Sequence, residues 1–399
     1  MKVPASIYKD PMINREDLKA TIRTAIRRAQ VTTVLGSRQC GKTTIARELG
    51  FEAKAEFFDL EDPVSRKRLE EPMTALAGLK GLVVIDEAQR LPALFPVLRV
   101  LSDRTPLPAR FLLTGSASPD LIRGVSETLA GRVEFIEMSG FNLLEVGPEA
   151  LRRLWWRGGL PRAYLARTND DCRSWQEAFI RTFLERDLRM MGIDAPPIRM
   201  RKLWTMVAHY HGGTWNASDV ARSLGVSPPT AQHYLDILAG SFAVRQLQPW
   251  HDNLEKRQRK APKVFVRDSG LLHALLGLRT FRELEGHPRL GFSWEGFVIE
   301  EIIKLVGERQ AYSWGTHSGA ELDLLVFHRG KRYGVEVKYA DAPGTTKSMH
   351  SAIDDLKLDQ LFIAYPGTKA YELKRGVQVL PLPELLDRFR KPTKRAPGG

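Results

Sequence analysis

Short apolar runs alternate with longer amphipathic stretches along the first third of the chain. The apolar runs predict four strands, at Val31–Leu35, Glu56–Leu60, Leu82–Ile85 and Phe111–Thr114. Helical patterns surround these strands at residues 12–30, from residue 42 to about 49, and at residues 93–102. Strands that alternate with helices are typical of a parallel sheet with helices on both faces, so we expect an α/β domain that ends near residue 150.

Residues 151–200 carry aromatic side chains at helical spacing, which predicts a helical segment with an aromatic core. These side chains are Trp155, Trp156, Tyr164, Trp175, Phe179 and Phe183. The alternative is a surface on which nucleic-acid bases stack, but packing in a core is the simpler interpretation. His209 and His211 have no spaced carboxylate or cysteine beside them, so we do not interpret them as metal ligands.

Residues 216–266 have the pattern of a helix-turn-helix followed by a hairpin. Asn216 is suited to cap a first helix, Gly225 to form the turn, and Pro228 to begin a second helix. The runs Phe242–Leu247 and Lys263–Val266 predict the two strands of a wing. We therefore expect a winged helix-turn-helix.

The exposed face of the second helix and the tip of the wing are the candidate nucleic-acid contacts. The helix would present Thr230, Gln232 and His233 to a groove. Basic residues at the predicted wing tip suit phosphate contact, and they are Lys256, Arg257, Arg259 and Lys260. The second helix itself has no lysine or arginine, and winged helices also bind proteins, so DNA and a protein partner both stay open.

Composition narrows the class of protein. A chain of 399 residues that is 43% hydrophobic can bury more than one core. Its net charge of +13 favours a partner with a phosphate backbone, although acidic lipids or proteins also attract a basic surface. The two cysteines, Cys40 and Cys172, are too few for a disulfide framework or a four-cysteine zinc site. No apolar run approaches the roughly 20 residues of a membrane span, so we expect a cytoplasmic protein.

A glycine-rich loop lies between the first predicted strand and the following helix, and it matches G-x-x-x-x-G-K-[ST]. The loop comprises Gly36, Ser37, Arg38, Gln39, Cys40, Gly41, Lys42 and Thr43, and Thr44 follows it. In such a loop, backbone N–H groups and the helix N-terminus hold phosphates, Lys42 reaches the β and γ phosphates, and Thr43 binds Mg²⁺. The sequence therefore predicts an ATP–Mg²⁺ site.

The strand at Leu82–Ile85 ends in two carboxylates that complete this site. We assign Asp86 to the Mg²⁺ shell and Glu87 to the base that orients or deprotonates the attacking water. The alternative is that the two acids merely cap a helix. Thr114 or Ser116, at the end of the next strand, is expected to sense the γ-phosphate.

This pattern resembles the AAA+ ATPases, with an additional strand between the two motifs and a polar sensor on the adjacent strand. Phosphoryl transfer in such enzymes is accelerated by an arginine at the γ-phosphate, often from a neighbouring subunit. The resemblance makes Arg132 the first candidate and Arg123 the second, with a purely structural role as the alternative for both. It also implies a homo-oligomer.

A second set of acids and a lysine lies near the C-terminus. Glu295 lies on a predicted helix, Asp323 on the strand 321–327, and Glu336 and Lys338 share one face of the strand 333–338. We predict that Asp323 and Glu336, with Glu295, bind a second Mg²⁺ or Mn²⁺, and that Lys338 positions a water nucleophile.

These residues resemble the pattern of the PD-(D/E)XK nuclease superfamily, which has a helix acid, a strand Asp, and Glu-x-Lys on the next strand. The resemblance implies an α/β nuclease-like domain with Glu295, Asp323, Glu336 and Lys338 as its catalytic residues. A degenerate domain that does not cut, and that binds DNA or holds subunits together, is the competing interpretation.

Over residues 15–385 the chain resembles a widespread prokaryotic family that joins an AAA-type ATPase to a C-terminal domain of unknown function with a nuclease-like fold. The motifs that carry the resemblance are the phosphate loop, Ile85-Asp86-Glu87, Leu113-Thr114-Gly115-Ser116, Leu129-Ala130-Gly131-Arg132, Gly158-Gly159-Leu160-Pro161 and Lys263-Val264-Phe265. We divide the chain into an ATPase core (1–150), a helical lid (151–200), a winged helix-turn-helix (201–266), a nuclease-like domain (267–390) and a disordered basic tail (391–399).

We expect an ATP-hydrolysing protein that remodels, translocates or cleaves DNA. The alternatives are a nucleotide-dependent switch whose C-terminal domains bind a protein partner, and an AAA-type motor that acts on polypeptides.

Overall fold

The computed structural model describes residues 13–116, 119–251 and 261–390, and for residues 117–123 no side chain is described. The predicted basic wing tip at 256–260 and the predicted tail at 391–399 lie outside the described residues, and so does the side chain of Arg123.

The N-terminal domain is built on a parallel sheet, as predicted, and the sheet has five strands rather than the four that the sequence indicated. The strands are β1 (Val31–Gly36), β2 (Glu56–Asp59), β3 (Gly81–Asp86), β4 (Ala109–Ser116) and β5 (Val133–Met138), in the order β2-β3-β4-β1-β5. Its helices are α1 (Glu16–Arg28), α2 (Lys42–Glu52), α3 (Pro63–Arg68), α4 (Pro72–Leu76), α5 (Leu94–Ser102) and α6 (Pro119–Thr128). The sequence pattern did not predict β5, which is an edge strand interrupted by the acids Glu134 and Glu137.

Alternate residues of the central strands enter two different cores. In β3, Val84 packs on the side of α2, whereas Val83 and Ile85 pack on the side of α5. Because both faces of the sheet are covered, the central strands appear in the sequence as continuous apolar runs. All five carboxyl ends lie at one edge, where the phosphate loop follows β1.

A helical region and a hairpin follow the sheet. Its elements are α7 (Leu143–Val146), α8 (Leu151–Arg157), α9 (Pro161–Tyr164), α10 (Asn169–Thr182), α11 (Leu188–Met190), α12 (Pro197–His209), α13 (Ala217–Leu224), α14 (Pro228–Gly240), β6 (Val244–Leu247), β7 (Lys263–Val266) and α15 (Ser269–Leu275). Residues 183–187, between α10 and α11, form one π-helical turn. The buried side chains of α10, α12, α13 and α14 belong to the same core as Val34 and Val84 of the sheet, so this region packs directly on the N-terminal domain.

Local signals set the two helices that precede the hairpin. The Asn216 side chain accepts hydrogen bonds from the N–H groups of Ser218 and Asp219 at 3.0 and 3.3 Å, which caps α13 as expected. Gly225 ends the helix in the left-handed region, at φ 67°. Strands β6 and β7 pair antiparallel after α14.

The C-terminal domain contains a mixed six-stranded sheet in the order β12-β13-β11-β10-β9-β8. Its elements are α16 (Phe281–Glu285), α17 (Leu290–Val306), β8 (Ala311–Gly315), β9 (Glu321–His328), β10 (Lys331–Val337), α18 (Lys347–Leu356), β11 (Gln360–Tyr365), β12 (Tyr371–Lys374), β13 (Val377–Pro381) and α19 (Leu382–Phe389). Helices α17 and α19 share a core on one face of the sheet, and α18 packs on the other. Within the described ranges, none of the helices has the length and apolar character needed to cross a membrane.

Candidate nucleotide site and C-terminal carboxylate centre

The phosphate loop turns sharply between β1 and α2, and its two terminal glycines fit that path. A Cβ atom on Gly36 would lie 2.1 Å from the carbonyl oxygen of Met138, so the neighbouring strand β5 leaves no room for a side chain. Gly41 adopts φ +100° immediately before α2, a conformation that side chains rarely tolerate. Cys40 is fully buried, and its Sγ lies 3.5 Å from the Met138 carbonyl oxygen.

Lys42 lies folded across the loop. Its Nζ donates to the carbonyl oxygens of Gly36 and Ser37 at 3.0 and 2.8 Å, and the residue is only 6% exposed. Thr43 and Thr44 follow in the first turn of α2, with Thr43 half-buried and Thr44 exposed. A buried ammonium, a helix N-terminus and a threonine hydroxyl thus meet in a loop shaped for phosphate.

Asp86 is the buried acid at the carboxyl end of β3. Thr114 Oγ1 on β4 donates to its Oδ1, and the Glu87 N–H donates to the same oxygen at 3.1 Å. Oxygen atoms of Thr43 and Asp86 are the kind that Mg²⁺ prefers, so these residues fit the metal that accompanies ATP. Ser116, the other predicted sensor, is buried opposite Gly36 in the β1–β4 register.

Glu87 adopts a left-handed backbone conformation with φ 56° directly after β3. Gln89 Nε2 donates to its carboxylate. Burial raises the pKa of Glu87, the negative charge of Asp86 raises it too, and the positive charges of Lys42 and Arg38 lower it. Its carboxylate is therefore held among charged groups at the phosphate loop, as a water-orienting residue would need.

Arg132 lies far from this site within its own chain. It precedes β5 and hydrogen-bonds the N-terminal end of β1, so it is at the opposite edge of the sheet from the phosphate loop. Both sides of its guanidinium bond Asp103, through Nε at 2.6 Å and Nη2 at 2.9 Å. Six residues of strand, or roughly 20 Å, separate the two edges, so Arg132 has no route to the nucleotide of its own subunit. A role across a subunit interface stays a prediction.

The helix α14 presents fewer free polar groups than the sequence predicts. Gln232 Oε1 accepts from Trp215 Nε1, and its Nε2 donates to Asp236, each at 2.8 Å. Thr230 lies 2.8 Å from the Ser227 hydroxyl. His233 alone of the three predicted residues is exposed and has no hydrogen bond among the described residues, so the prediction for Gln232 needs correction: its amide is used inside the fold.

The four predicted groups of the C-terminal centre do lie together. Glu295 on α17 and Asp323 on β9 are 8% and 7% exposed, and Glu336 on β10 is 4% exposed. Asp323 Oδ2 accepts from the Val337 N–H at 2.9 Å, and Lys338 Nζ lies 2.7 Å from Glu336 Oε1. Glu336 Oε2 is buried and has no hydrogen-bond partner.

Sequence reasoning missed the fifth member of this cluster, Lys263 on β7. Its Nζ lies 3.2 Å from Glu295 Oε1 and 3.5 Å from Asp323 Oδ1, and its burial is nearly complete. The signal was present as a lysine at the start of the otherwise apolar strand Lys-Val-Phe-Val. We define the carboxylate centre as Glu295, Asp323, Glu336, Lys338 and Lys263.

The charges in the carboxylate centre respond to burial. Burial and then the negative charge of Asp323 raise the pKa of Glu295 to about 8, while Lys263 lowers it. Burial and Asp323 also raise the pKa of Glu336 to about 7. Burial lowers the pKa of Lys263, but the surrounding carboxylates outweigh this and raise it above its ordinary value. Lys263 therefore stays charged among the acids.

These residues do not fit a divalent metal ion in this arrangement. The oxygen donors are of the type that Mg²⁺ or Mn²⁺ prefers, but an ammonium group already lies between Glu295 and Asp323. Across the parts of the chain that the structure describes, no group of three or more histidine, cysteine or acidic residues is arranged to hold a metal. The predicted second metal at Asp323 and Glu336 is therefore not supported, since Asp323 already pairs with Lys263.

Three family models match consecutive parts of the chain. Residues 28–147 match the model described as AAA domain, and residues 148–282 and 290–385 match two domains of unknown function, DUF8612 and DUF4143. Among solved structures, the Walker-type ATPase of Pyrococcus abyssi is 16% identical, with a TM-score of 0.48, over 66% of this chain and 96% of that one.

Two curated relatives are similar over nearly the whole chain. They are uncharacterized proteins of Mycobacterium bovis and Mycobacterium tuberculosis, each 50% identical over 97% of this chain and 88% of the relative. The chain therefore belongs to the same family as these two mycobacterial proteins, and its residues 28–147 form an AAA-type ATPase domain.

Proposed function

We propose that the chain hydrolyses ATP in order to change how its C-terminal regions engage DNA. The observation that carries the hydrolytic part is the meeting of Lys42 with the Asp86–Thr114–Glu87 group at one edge of the sheet. Loop N–H groups and Lys42 bind the phosphates, and Thr43 and Asp86 hold Mg²⁺, which neutralises phosphate charge when bound. Glu87 orients the attacking water, and Thr114 keeps the Asp86 carboxylate in position.

A continuous set of contacts supports coupling between the ATPase domain and the rest of the chain. Met138, at the end of β5, packs against the phosphate loop, and Glu137 beside it pairs with Arg245 and Arg267. Both arginines also pair with Glu300 of α17, with Arg245 Nη2 at 3.2 Å and Arg267 Nε at 3.4 Å. A shift of the loop would therefore reach β6 and α17 through the exposed Glu137 and the buried pair of Arg245 with Glu300.

The net charge of +13 and the two helices followed by a hairpin support DNA as the partner. The chain carries enough positive charge to bind a phosphate backbone without sequence-specific contacts. A homo-oligomer stays a prediction from the resemblance to AAA+ ATPases.

A nucleotide-dependent switch that binds a protein partner is the second candidate. It is favoured by the exposed face of α14, where Asp236 accepts hydrogen bonds from Gln232 and Gln246 at 2.8 and 2.9 Å. An acidic side chain at that position repels a phosphate backbone, and the Gln232 amide already bonds Trp215 and Asp236 within the fold.

The deciding experiment measures ATP turnover with duplex, single-stranded and branched DNA at low and moderate salt. We expect at least one DNA form to stimulate turnover, with a steep loss of stimulation as salt rises. Lys42→Ala should abolish nucleotide binding, whereas Glu87→Gln should keep binding and lose turnover by a factor on the order of 100 or more. If no DNA form changes the rate of turnover, the protein-binding switch becomes the favoured function. If Glu87→Gln keeps the wild-type rate, Glu87 does not orient the attacking water.

A further inference from the structure

The third residue of the phosphate loop, Arg38, forms an ion pair with an acid from the helical region. Its Nη1 donates to Asp187 Oδ1, and the two side chains are 19% and 5% exposed. The residues are 149 positions apart in the sequence, so only the packing of the helical region on the loop brings them together.

The π-helical turn at residues 183–187 presents Asp187 to the loop. Phe183 and Leu184 of the same turn are buried in the core that the helical region shares with the sheet. π-Helical turns are rare inside helices and occur frequently at functional sites. Asp187 is the last residue of this turn, and its carboxylate reaches the phosphate loop.

The ion pair of Arg38 with Asp187 does not use all the hydrogen-bond donors of the guanidinium. Arg38 Nε is buried and has no hydrogen-bond partner. Burial raises the pKa of Asp187, while Arg38 and then Arg186 lower it, so desolvation of the acid opposes the pair. Ser37, Arg38 and Phe183 line part of a cavity of about 40 Å³. The ion pair with Asp187 thus leaves one guanidinium donor of Arg38 unused.

Arg38 also lies next to a loop residue that Lys42 contacts. Lys42 Nζ donates to the carbonyl oxygen of Ser37, the residue directly before Arg38. Arg38 therefore adds a second cationic side chain, besides Lys42, to the loop that is predicted to hold the phosphates.

We propose that Arg38 neutralises the γ-phosphate from within its own chain, and that Asp187 holds it aside until ATP binds. This inference rests on the ATP hydrolysis proposed above and does not depend on DNA. A guanidinium bonds phosphate oxygens in the same paired geometry as it bonds a carboxylate, and the phosphate carries more charge, so ATP displaces Asp187.

Arg38 stays cationic throughout the reaction. The water oxygen bonds to the γ-phosphorus, the bond from that phosphorus to the β–γ bridging oxygen breaks, and ADP keeps the electron pair. The water proton passes to Glu87 or to the released phosphate. Arg38 stabilises charge on the γ-phosphate oxygens, and Asp187 is a positioning residue that regains Arg38 when phosphate leaves.

The test compares Arg38→Ala, Arg38→Lys and Asp187→Asn in DNA-free turnover and in binding of ADP and of a non-hydrolysable ATP analogue. Arg38→Ala should lower kcat by about 100-fold or more and weaken the analogue at least tenfold, with ADP affinity within about twofold of wild type. Arg38→Lys should recover analogue affinity in part and kcat little, because a lysine lacks the planar fork. Asp187→Asn should tighten the analogue and leave ADP unchanged, because it removes the competing anion.

Arg28→Ala is the matched control, since Arg28 is an exposed arginine paired with Glu134 at the far edge of the sheet. A kcat for Arg38→Ala within about threefold of wild type would overturn the proposal, as would equal losses of ADP and analogue affinity. If Arg38→Ala does not fold, equal weakening of both nucleotides in Asp187→Asn overturns it instead. Loss of turnover in Arg132→Ala with normal turnover in Arg38→Ala would assign the role to Arg132 of a neighbouring subunit. The wild type could also bind the ATP analogue through Arg38 and show no turnover. That result would refute ATP hydrolysis but not the proposal that Arg38 moves from Asp187 to the γ-phosphate.

Discussion

At the scale of single residues, Lys263 shows how one buried charge alters the interpretation of a motif. Its ammonium connects β7 to α17 and β9 by pairing with Glu295 and Asp323. A buried pair costs desolvation free energy on both sides, so its removal from one side leaves an uncompensated charge. The lysine therefore acts as an internal counter-ion of the carboxylate centre.

Lys263→Met should lower the free energy of unfolding at pH 9 by about 3 kcal/mol, because the buried acids are ionised at that pH and lose their cation. The measurement is urea denaturation followed by circular dichroism. The double variant Lys263→Met/Glu295→Gln should recover about half of the loss, since it also removes one unpaired carboxyl. A loss under about 1 kcal/mol in the single variant would mean that water already screens these charges.

At the scale of elements, three helices meet at Gly270 of α15. A Cβ atom there would lie 2.1 Å from the carbonyl oxygen of Arg157, the last residue of α8, and 2.5 Å from Gln176 Nε2 on α10. The same Gln176 amide donates to the Arg157 carbonyl at 3.0 Å. Because Gly270 has no side chain, α8, α10 and α15 can approach closely, and the Gln176 amide can bond the Arg157 carbonyl.

Gly270→Ala should destabilise the protein by about 2–4 kcal/mol, through overpacking and the loss of this hydrogen bond. Thermal unfolding with and without nucleotide measures the loss. Gly240→Ala is the control, because Gly240 lies in α14 with open space around it, and there alanine should stabilise by about 0.5–1 kcal/mol. Equal effects of the two substitutions would contradict the close approach at Gly270.

At the scale of the whole molecule, buried histidines and buried glutamates change the free energy of unfolding with pH in opposite directions, so their contributions partly cancel. Burial lowers the pKa of His211 and of His273 to about 3, so both stay neutral in the fold. Below the unfolded value near 6.5, the unfolded chain takes up these protons first, so stability falls as pH falls. Glu295 and Glu336 have raised pKa values and act in the other direction, since the folded chain binds their protons first.

The histidine contribution can be isolated with His211→Asn, which keeps an acceptor for the Val266 N–H that now bonds His211 Nδ1 at 3.0 Å. At pH 7.5 the variant should be less stable than wild type. The difference should shrink by about 2 kcal/mol at pH 5, because wild type alone loses stability to protonation at this position. Urea midpoints at both pH values measure this, and a difference independent of pH would show that folding does not lower the pKa of His211.

The sequence by itself determined the features that depend on neighbours along the chain. Apolar runs predicted four strands of the N-terminal sheet, and these strands contribute to two cores. The contiguous loop 36–43 predicted the phosphate site. The cap at Asn216 followed from its position before a helical pattern. Local chain geometry sets such contacts, because the residues involved are only a few bonds apart.

Only the tertiary structure decided which distant charges meet. It joined Arg38 to Asp187 across 149 positions, and Lys263 to Asp323 across 60, and it engaged the Gln232 amide inside the fold. Neither hydrophobic periodicity nor a sequence motif predicts these pairs, because each pair depends on how separate helices and strands pack in a common core. The motif residues of the carboxylate centre could thus be predicted from the sequence. The position of Lys263 beside them depends on the packing of β7 against α17 and β9.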